Sequence, residues 1–275
     1  MKKIIRLFAL LLVIIIVALL GVLFYINSIA KAAVERGGTY ALGVSTTLNS
    51  ARVKPLGGTF GMRGLTVANP AGYDSKHFMT LGTGHVAVSL GTLMQDTVKL
   101  PHLNLSDIDM NLEKKDGKAN YQTILDNLKK LSPEKPDPNA KKFVIKNVAI
   151  RNIKVHVNMM GQNLDVPIEE ITLKNVGSDG QGVDLAQLSG VIMKSVFAAV
   201  VQKGGGLIPA DMLGDLTNGL AGLAHLDKLG EVANIGGEIA QQAADEAKKK
   251  AEDLANKAKE GLGGILGGDK KDKPN

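Results

Sequence analysis

The sequence predicts an α+β protein. It combines a single N-terminal transmembrane helix, a curved, groove-like antiparallel β-sheet with short helices, and amphipathic helices towards the C-terminus. Three observations predict it. An uncharged apolar run opens the chain, period-2 alternation with turn signals fills the middle, and helical periodicity takes over after residue 182. The 275 residues divide accordingly. A cytoplasmic stub, anchor and juxtamembrane segment occupies 1–36, an antiparallel β domain 37–182, an apolar helical segment 183–236, and an Ala/Lys/Glu-rich helix with a disordered tail 237–275.

The anchor comes first. Leu7 to Ile26 reads LFALLLVIIIVALLGVLFYI, twenty residues without a charge. At ~1.5 Å rise per residue this run spans about 30 Å, the thickness of a hydrocarbon core. Leu7, Leu11, Ile15, Leu19 and Leu23 are its membrane-anchoring positions, and Tyr25 falls where an interfacial aromatic holds the far end. Lys2, Lys3 and Arg6 precede the run. The positive-inside bias therefore places the N-terminus in the cytoplasm and residues 31–275 across the bilayer. The phospholipid membrane is thus the first predicted partner. Ser28-Ile29-Ala30 resembles a small-residue cleavage site and leaves a removed leader as the alternative. Leader h-regions, however, run ~7–15 residues, shorter than this one. No second apolar run of ~18 residues follows, so one span is expected.

Strands fill the next segment. Leu103, Leu105, Ile108, Met110 and Leu112 alternate with polar residues, as do Ile153, Val155 and Val157. Asn69-Pro70-Ala71-Gly72, Asp116-Gly117 and Gly161-Gln162-Asn163 mark turns. An internal repeat underlies these strands. Val98, Leu100, Leu103, Leu105, Ile108, Met110 and Leu112 share their spacing with Phe143, Ile145, Val148, Ile150, Ile153, Val155 and Val157, 45 residues later. Half of the pattern recurs at Phe60, Met62, Leu65 and Val67, and at Val166, Ile168, Ile171 and Leu173. Twice in each full copy, two residues rather than one separate apolar positions. A bulge or bend at those points keeps the apolar set on one face. Strands bent in this way predict a trough with an apolar lining. An ordinary half-buried sheet is the alternative.

Helices complete the pattern. Leu90–Met94 reads as a short turn. Asn120–Leu131 places Ile124, Leu125, Leu128 and Leu131 on one face, with Asn120 available as N-cap. Pro133, Pro136 and Pro138 form a stiff linker. Residues 183–203 repeat Leu185, Leu188, Val191, Ile192, Val196, Phe197 and Val200 at helical spacing, with Asp184 as cap and Gly204-Gly205-Gly206 as terminator. Residues 210–236 keep leucines at steps of three and four, but five glycines interrupt them. That stretch predicts a loosely held amphipathic helix or one that orders on a membrane or partner.

Composition excludes several functions. Lys+Arg is 33 and Asp+Glu 27, giving +6, and the first 36 residues hold five of the basic residues and one acid. The excess sits at the N-terminus and makes no nucleic-acid footprint. Trp is absent and aromatics are 4%, so base-stacking platforms are not expected. Without Cys, disulfides, thiolate nucleophiles and zinc–thiolate sites are all excluded. His77, His85, His102, His156 and His225 lack metal-ligand spacing and read as solvated. Asp107 and Asp109 read as a wet strand surface. Gly82-Thr83-Gly84-His85 leads into alternation instead of a helix, against a dinucleotide loop. No catalytic residue, cofactor or metal is predicted, and no enzyme.

The order of several motifs carries a resemblance. Gly64-Leu65-Thr66-Val67-Ala68-Asn69-Pro70-Ala71-Gly72 is followed by Val88-Ser89-Leu90-Gly91-Thr92-Leu93-Met94-Gln95-Asp96-Thr97-Val98, then by the bent strand 98–112 and by Asn120–Leu128. This resembles the N-terminal part of the AsmA-like family of bacterial envelope proteins, related to translocation-assembly and bridge-like lipid-transfer proteins. It covers about residues 1–175. The resemblance implies an inner-membrane anchor, a periplasmic β-groove and a role in envelope lipid homeostasis or outer-membrane biogenesis. On this reading Leu103, Leu105, Ile108, Met110, Ile150, Ile153, Val155 and Val157 line an apolar groove for phospholipid acyl chains. Eight strands ~4.8 Å apart make a trough of roughly 40 Å. The competing expectation is a non-enzymatic envelope scaffold. Its C-terminal helices would mediate assembly, as a homo-oligomer or with an envelope protein, or lie on the membrane surface.

Overall fold

The computed structural model describes residues 2–131, 140–159, 162–178 and 182–232. The proline-rich linker and the Ala/Lys/Glu-rich tail lie outside the described residues, as do the side chains of Ile15, Leu19 and Leu23. Helix α1 runs unbroken from Lys2 to Leu42. The division expected at residue 36 therefore falls inside a helix. Gly37 and Gly38 do not end it. They let it approach its neighbours, since a Cβ on either would come 2.8 Å from Leu185 Cβ or Thr46 Cγ2.

Strands β1 (Thr46–Lys54), β2 (Thr59–Ala68), β3 (His77–Ala87) and β4 (Thr97–Lys115) follow. A 3-10 turn at Leu90–Thr92 joins the last two. Then come β5 (Lys118–Ala119), α2 (Asn120–Leu128), β6 (Lys142–Met159), β7 (Gln162–Val176), α3 (Leu185–Lys203), α4 (Ala210–Ala221) and β8 (Glu231–Val232). The eight strands form one sheet in the order β1-β2-β3-β4-β6-β7-β8, with β5 folded back on the end of β4.

The sheet is mostly antiparallel, with one correction to expectation: β4 and β6 pair in parallel. The cause is the connection. The β5–α2 excursion returns the chain to the end of the sheet where β4 began, as parallel pairing requires. The 45-residue repeat is the register of that pair. Leu105 lies beside Ile150, Ile108 beside Ile153, Met110 beside Val155 and Leu112 beside Val157.

The doublets in the repeat become creases. Asn49, Gly64, Gly82, Asp107, Asn152 and Glu169 fall out of the pairing on six successive strands, while the register resumes on either side. Gly64, Asp107 and Asn152 take φ of +64°, +66° and +53°. Gly, Asp and Asn are the residues that enter this left-handed region at least cost. Neighbouring strands approach closely here. A Cβ on Gly64 would come 2.9 Å from Asn49 Cβ, and one on Gly82 2.8 Å from Asp107 Cβ. Asn152 Nδ2 donates to Asp107 Oδ1 at 2.6 Å across the crease. A second crease runs through Pro101, Lys146 and Asn175, the last at φ +55°. The inserted residue turns the next side chain back to the inner face, which is why all the repeat positions stay on one side.

Helices cover that side. Helix α3 packs on β6 and β7 and against α1 and α4, while α2 packs on β4. The α3 start is as expected, a capping box in which Asp184 accepts from the Gln187 N–H and Gln187 Oε1 accepts from the Asp184 N–H. The α2 start is not. Ala119 occupies the N-cap, and Asn120 turns inward to a different role. The glycine-interrupted stretch divides into α4, a C-cap at Gly222 and a 3-10 turn at Ala224–Leu229.

Candidate functional site

The structure brings the eight expected groove residues together. Leu103, Leu105, Ile108, Met110, Ile150, Ile153, Val155 and Val157 form adjacent rows on β4 and β6, and none is more than 3% exposed. They line no open trough among the described residues, because the chain's own helices lie over the inner face. Phe197 of α3 meets Phe78 of β3 edge to face at 6.2 Å. Met193, Val196, Val200, Met212, Leu216 and Leu220 continue the same core. Helix α3 is itself long and apolar enough to cross a bilayer, but 67% of its most apolar window is buried against its neighbours.

Small residues and ion pairs seat this cover. Gly190 of α3 sits where a Cβ would come 2.8 Å from Leu131 Cδ1. Lys114, at the end of β4, places its Nζ 2.8 Å from both Asp211 and Asp215 of α4. Those hydrogen bonds hold Lys114 above the ordinary lysine range and Asp211 below the ordinary aspartate range. Lys194 of α3 reaches Asp227 and the Leu223 carbonyl. Burial nonetheless pulls its pKa below the usual lysine value.

The second functional element is α1. Among its described side chains, Leu7 (71% exposed), Leu11 (51%), Ile14 (56%) and Tyr25 (61%) leave an apolar surface bare, and Ile4, Leu10, Leu12, Val13 and Phe24 extend it. The following half of the helix is fastened to the sheet edge. The β1 N–H groups of Thr46, Leu48 and Val53 have no strand partner. They donate to Thr39 Oγ1 at 3.0 Å, Glu35 Oε1 at 2.8 Å and Asn27 Oδ1 at 2.7 Å. From Thr39 back to Glu35 four helical residues rise ~6 Å and from Thr46 to Leu48 two strand residues rise ~6.6 Å, so the helix and the reversed strand stay in step over these two bonds. An edge strand otherwise invites pairing with another chain, and α1 closes this one. Sequence reading missed these three residues. Their visible trace was a row of polar positions, four or eight apart, continuing the apolar helix.

Two polar clusters were also missed. The Glu113 side chain, 4% exposed, accepts from Asn69 Nδ2 and from the N–H groups of Asp74 and Ser75 at 2.8–3.0 Å. Asn120 joins this cluster to the Asn111 carbonyl and to Asn69. The cluster clamps the Asn69–Ser75 loop onto β4. On the outer face His156 is not simply solvated. Its ring nitrogens lie 2.6 Å from Asp165 and 2.9 Å from Asp109. Burial lowers its pKa, but the hydrogen bonds and charges of Asp109 and Asp165 outweigh this and leave it raised. Among the described residues, no group of three His, Asp or Glu is placed to hold a metal ion.

These features define an α+β protein built on a creased, mostly antiparallel sheet, with one face sealed by helices and one edge closed by a long N-terminal helix. Comparison with known proteins adds no name to this class: no family model and no curated protein matches the chain.

Proposed function

We propose that the protein is a single-pass, AsmA-like envelope protein anchored in the bacterial inner membrane. Its periplasmic domain has no enzymatic role and acts in lipid homeostasis at the bilayer surface. The observation that carries this reading is the division of labour along α1. One continuous helix offers a bare apolar half and then a half bound to the sheet edge. Cleavage after Ala30 would remove Asn27 and leave the Val53 N–H without its acceptor, a contact that a segment needed only for export would not make. The order of strand motifs and the paired 45-residue repeat support the family reading.

The test is fractionation of cells expressing the full chain. The protein is expected to stay with membranes through an alkaline wash. Leu11→Arg with Ile14→Arg is expected to release it, since each Arg at mid-span costs ~2.5–3.5 kcal/mol. Wild-type protein in the soluble fraction would overturn the proposal.

A second reading, in which the domain is a scaffold and holds no acyl chains, is favoured by one observation: the expected groove residues are buried under α3 and α4. The two readings separate by hydrogen exchange on the full chain in mild detergent. Added phospholipid deprotects α3 amides if acyl chains enter beneath it. Unchanged α3 protection supports the scaffold.

A further inference from the structure

From the chain's geometry where α1 meets the sheet, we infer a binding cleft for an anionic phospholipid headgroup. The cleft has a volume of about 400 Å³ and lies between Asn27 of α1 and the ends of β1, β2 and β3. Arg52, Lys54, Arg63 and His85 line it, with Thr59 among its neutral walls. The register explains the cluster. Arg52 lies beside Gly61, which lies beside His85, and Ser50 lies beside Arg63, so Arg52, Lys54 and Arg63 share a face with the His85 ring. Among the described residues, no carboxylate forms a salt bridge with Arg52, Lys54 or Arg63, and no acid lines the cleft.

The height of this cluster selects the ligand. Val53 donates to Asn27, so it stands level with the end of the Leu7–Ile26 run. Strands rise ~3.3 Å per residue, which puts Arg52 and Lys54 within one residue of that level and Arg63 about 10 Å above it. The headgroup layer occupies roughly 5–8 Å beyond the hydrocarbon core, so the Arg63 backbone stands just outside it, within a side chain's length. The turn beyond Lys54 reaches the other way. Leu56 is 97% exposed in it, Leu90 lies against Gly58 in the loop that donates from the Val88 N–H to the Gly58 carbonyl, and Met94 further along that loop is 95% exposed. Apolar tips at the acyl boundary beneath unpaired cations match a phosphodiester carried on a lipid better than one free in solution. The ligand is therefore an anionic phospholipid of the leaflet from which α1 emerges.

This inference rests on the membrane reading of α1, and the test keeps the two apart. Because the chain has no Cys, a single introduced Cys labels uniquely. The full chain carrying a polarity-sensitive dye at Leu56→Cys, or at Ile14→Cys, is placed in nanodiscs of phosphatidylcholine alone or of an equal mixture with phosphatidylglycerol. The Ile14 probe is expected to report hydrocarbon in both. The Leu56 probe is expected to report a more apolar signal with phosphatidylglycerol than with phosphatidylcholine alone, and soluble glycerol phosphate is not expected to compete. Each cation near an anionic surface contributes about a fivefold affinity, so Arg52→Gln with Arg63→Gln is expected to weaken the response about 25-fold and abolish the shift. Circular dichroism and unchanged thermal unfolding of that variant establish that it is folded. A Leu56 probe indifferent to phosphatidylglycerol, or a shift kept by the folded double variant, overturns the cleft while leaving the anchor. Competition by glycerol phosphate overturns the lipid source. An aqueous Ile14 signal overturns the anchor and the cleft together.

Discussion

The crease across the sheet can be tested by adding one methyl group at three glycines that differ in one respect each. Gly117 has φ +76° and nothing within 4 Å of where the methyl would stand, so Gly117→Ala meets only the backbone penalty, about 1–2 kcal/mol. Gly82 has no positive φ, but its methyl would stand 2.8 Å from Asp107 Cβ, so Gly82→Ala meets only crowding, about 1–3 kcal/mol. Gly64 combines φ +64° with an approach of 2.9 Å to Asn49 Cβ. Gly64→Ala is therefore expected to cost about 2–5 kcal/mol, a large part of the ~5–15 kcal/mol that holds a domain together. Urea unfolding of the 275-residue chain in a mild detergent, followed by far-UV circular dichroism, gives the three differences. The order Gly64 > Gly82 ≥ Gly117 is expected at equal m-value. A Gly64→Ala variant no less stable than Gly117→Ala would show that the strands do not approach at Gly64, and the crease would fail as the cause of the bend.

Three further outcomes follow from contacts described above. Phe197→Ala removes a side chain that is fully buried against Phe78 and should cost about 3–5 kcal/mol in the same unfolding assay, with greater hydrogen exchange in α3. Glu35→Ala leaves the Leu48 N–H without its acceptor and should cost about 1–3 kcal/mol, while Glu35→Gln, which retains an acceptor oxygen, should recover most of that. The raised pKa of His156 sets a pH dependence. Its contribution is fully present below the unfolded histidine value of 6.5 and is lost as pH rises through the higher folded value. A pH series of melting temperatures should therefore show a decline above pH 6.5 that His156→Gln removes. An unchanged decline in that variant would place its origin elsewhere.

The inner face was legible because its physics is local. Apolar residues recur with a fixed spacing, and the doublets at Ser106-Asp107 and Arg151-Asn152 mark where the backbone must depart from alternation. The direction of pairing was not legible. The same spacing serves β4 and β6 whether they run parallel or antiparallel, and only the path through β5 and α2 decides. Nor could periodicity tell an open trough from a covered core. Burial of Ile150 or Val155 depends on where α3 comes to rest, a tertiary fact. An Ile153→Asp change, which in an open trough would spoil a ligand site, here puts an unpaired carboxylate into the core and should unfold the domain. The polar partners were hidden for a related reason. Asn27, Glu35 and Thr39 look like an ordinary wet helix face until a strand edge is laid beside them.

The absence of a joint in α1 has a mechanical consequence. A span that connects to its cargo through a loop lets that cargo swivel, so bilayer geometry goes unread. With its apolar half in the bilayer, as proposed above, the same rod would be embedded at one end while clamped to a β edge at the other. If a thinner bilayer makes the rod lean, as mismatch between span and hydrocarbon does, the whole sheet leans through the same angle, and its lower rim moves towards or away from the lipid.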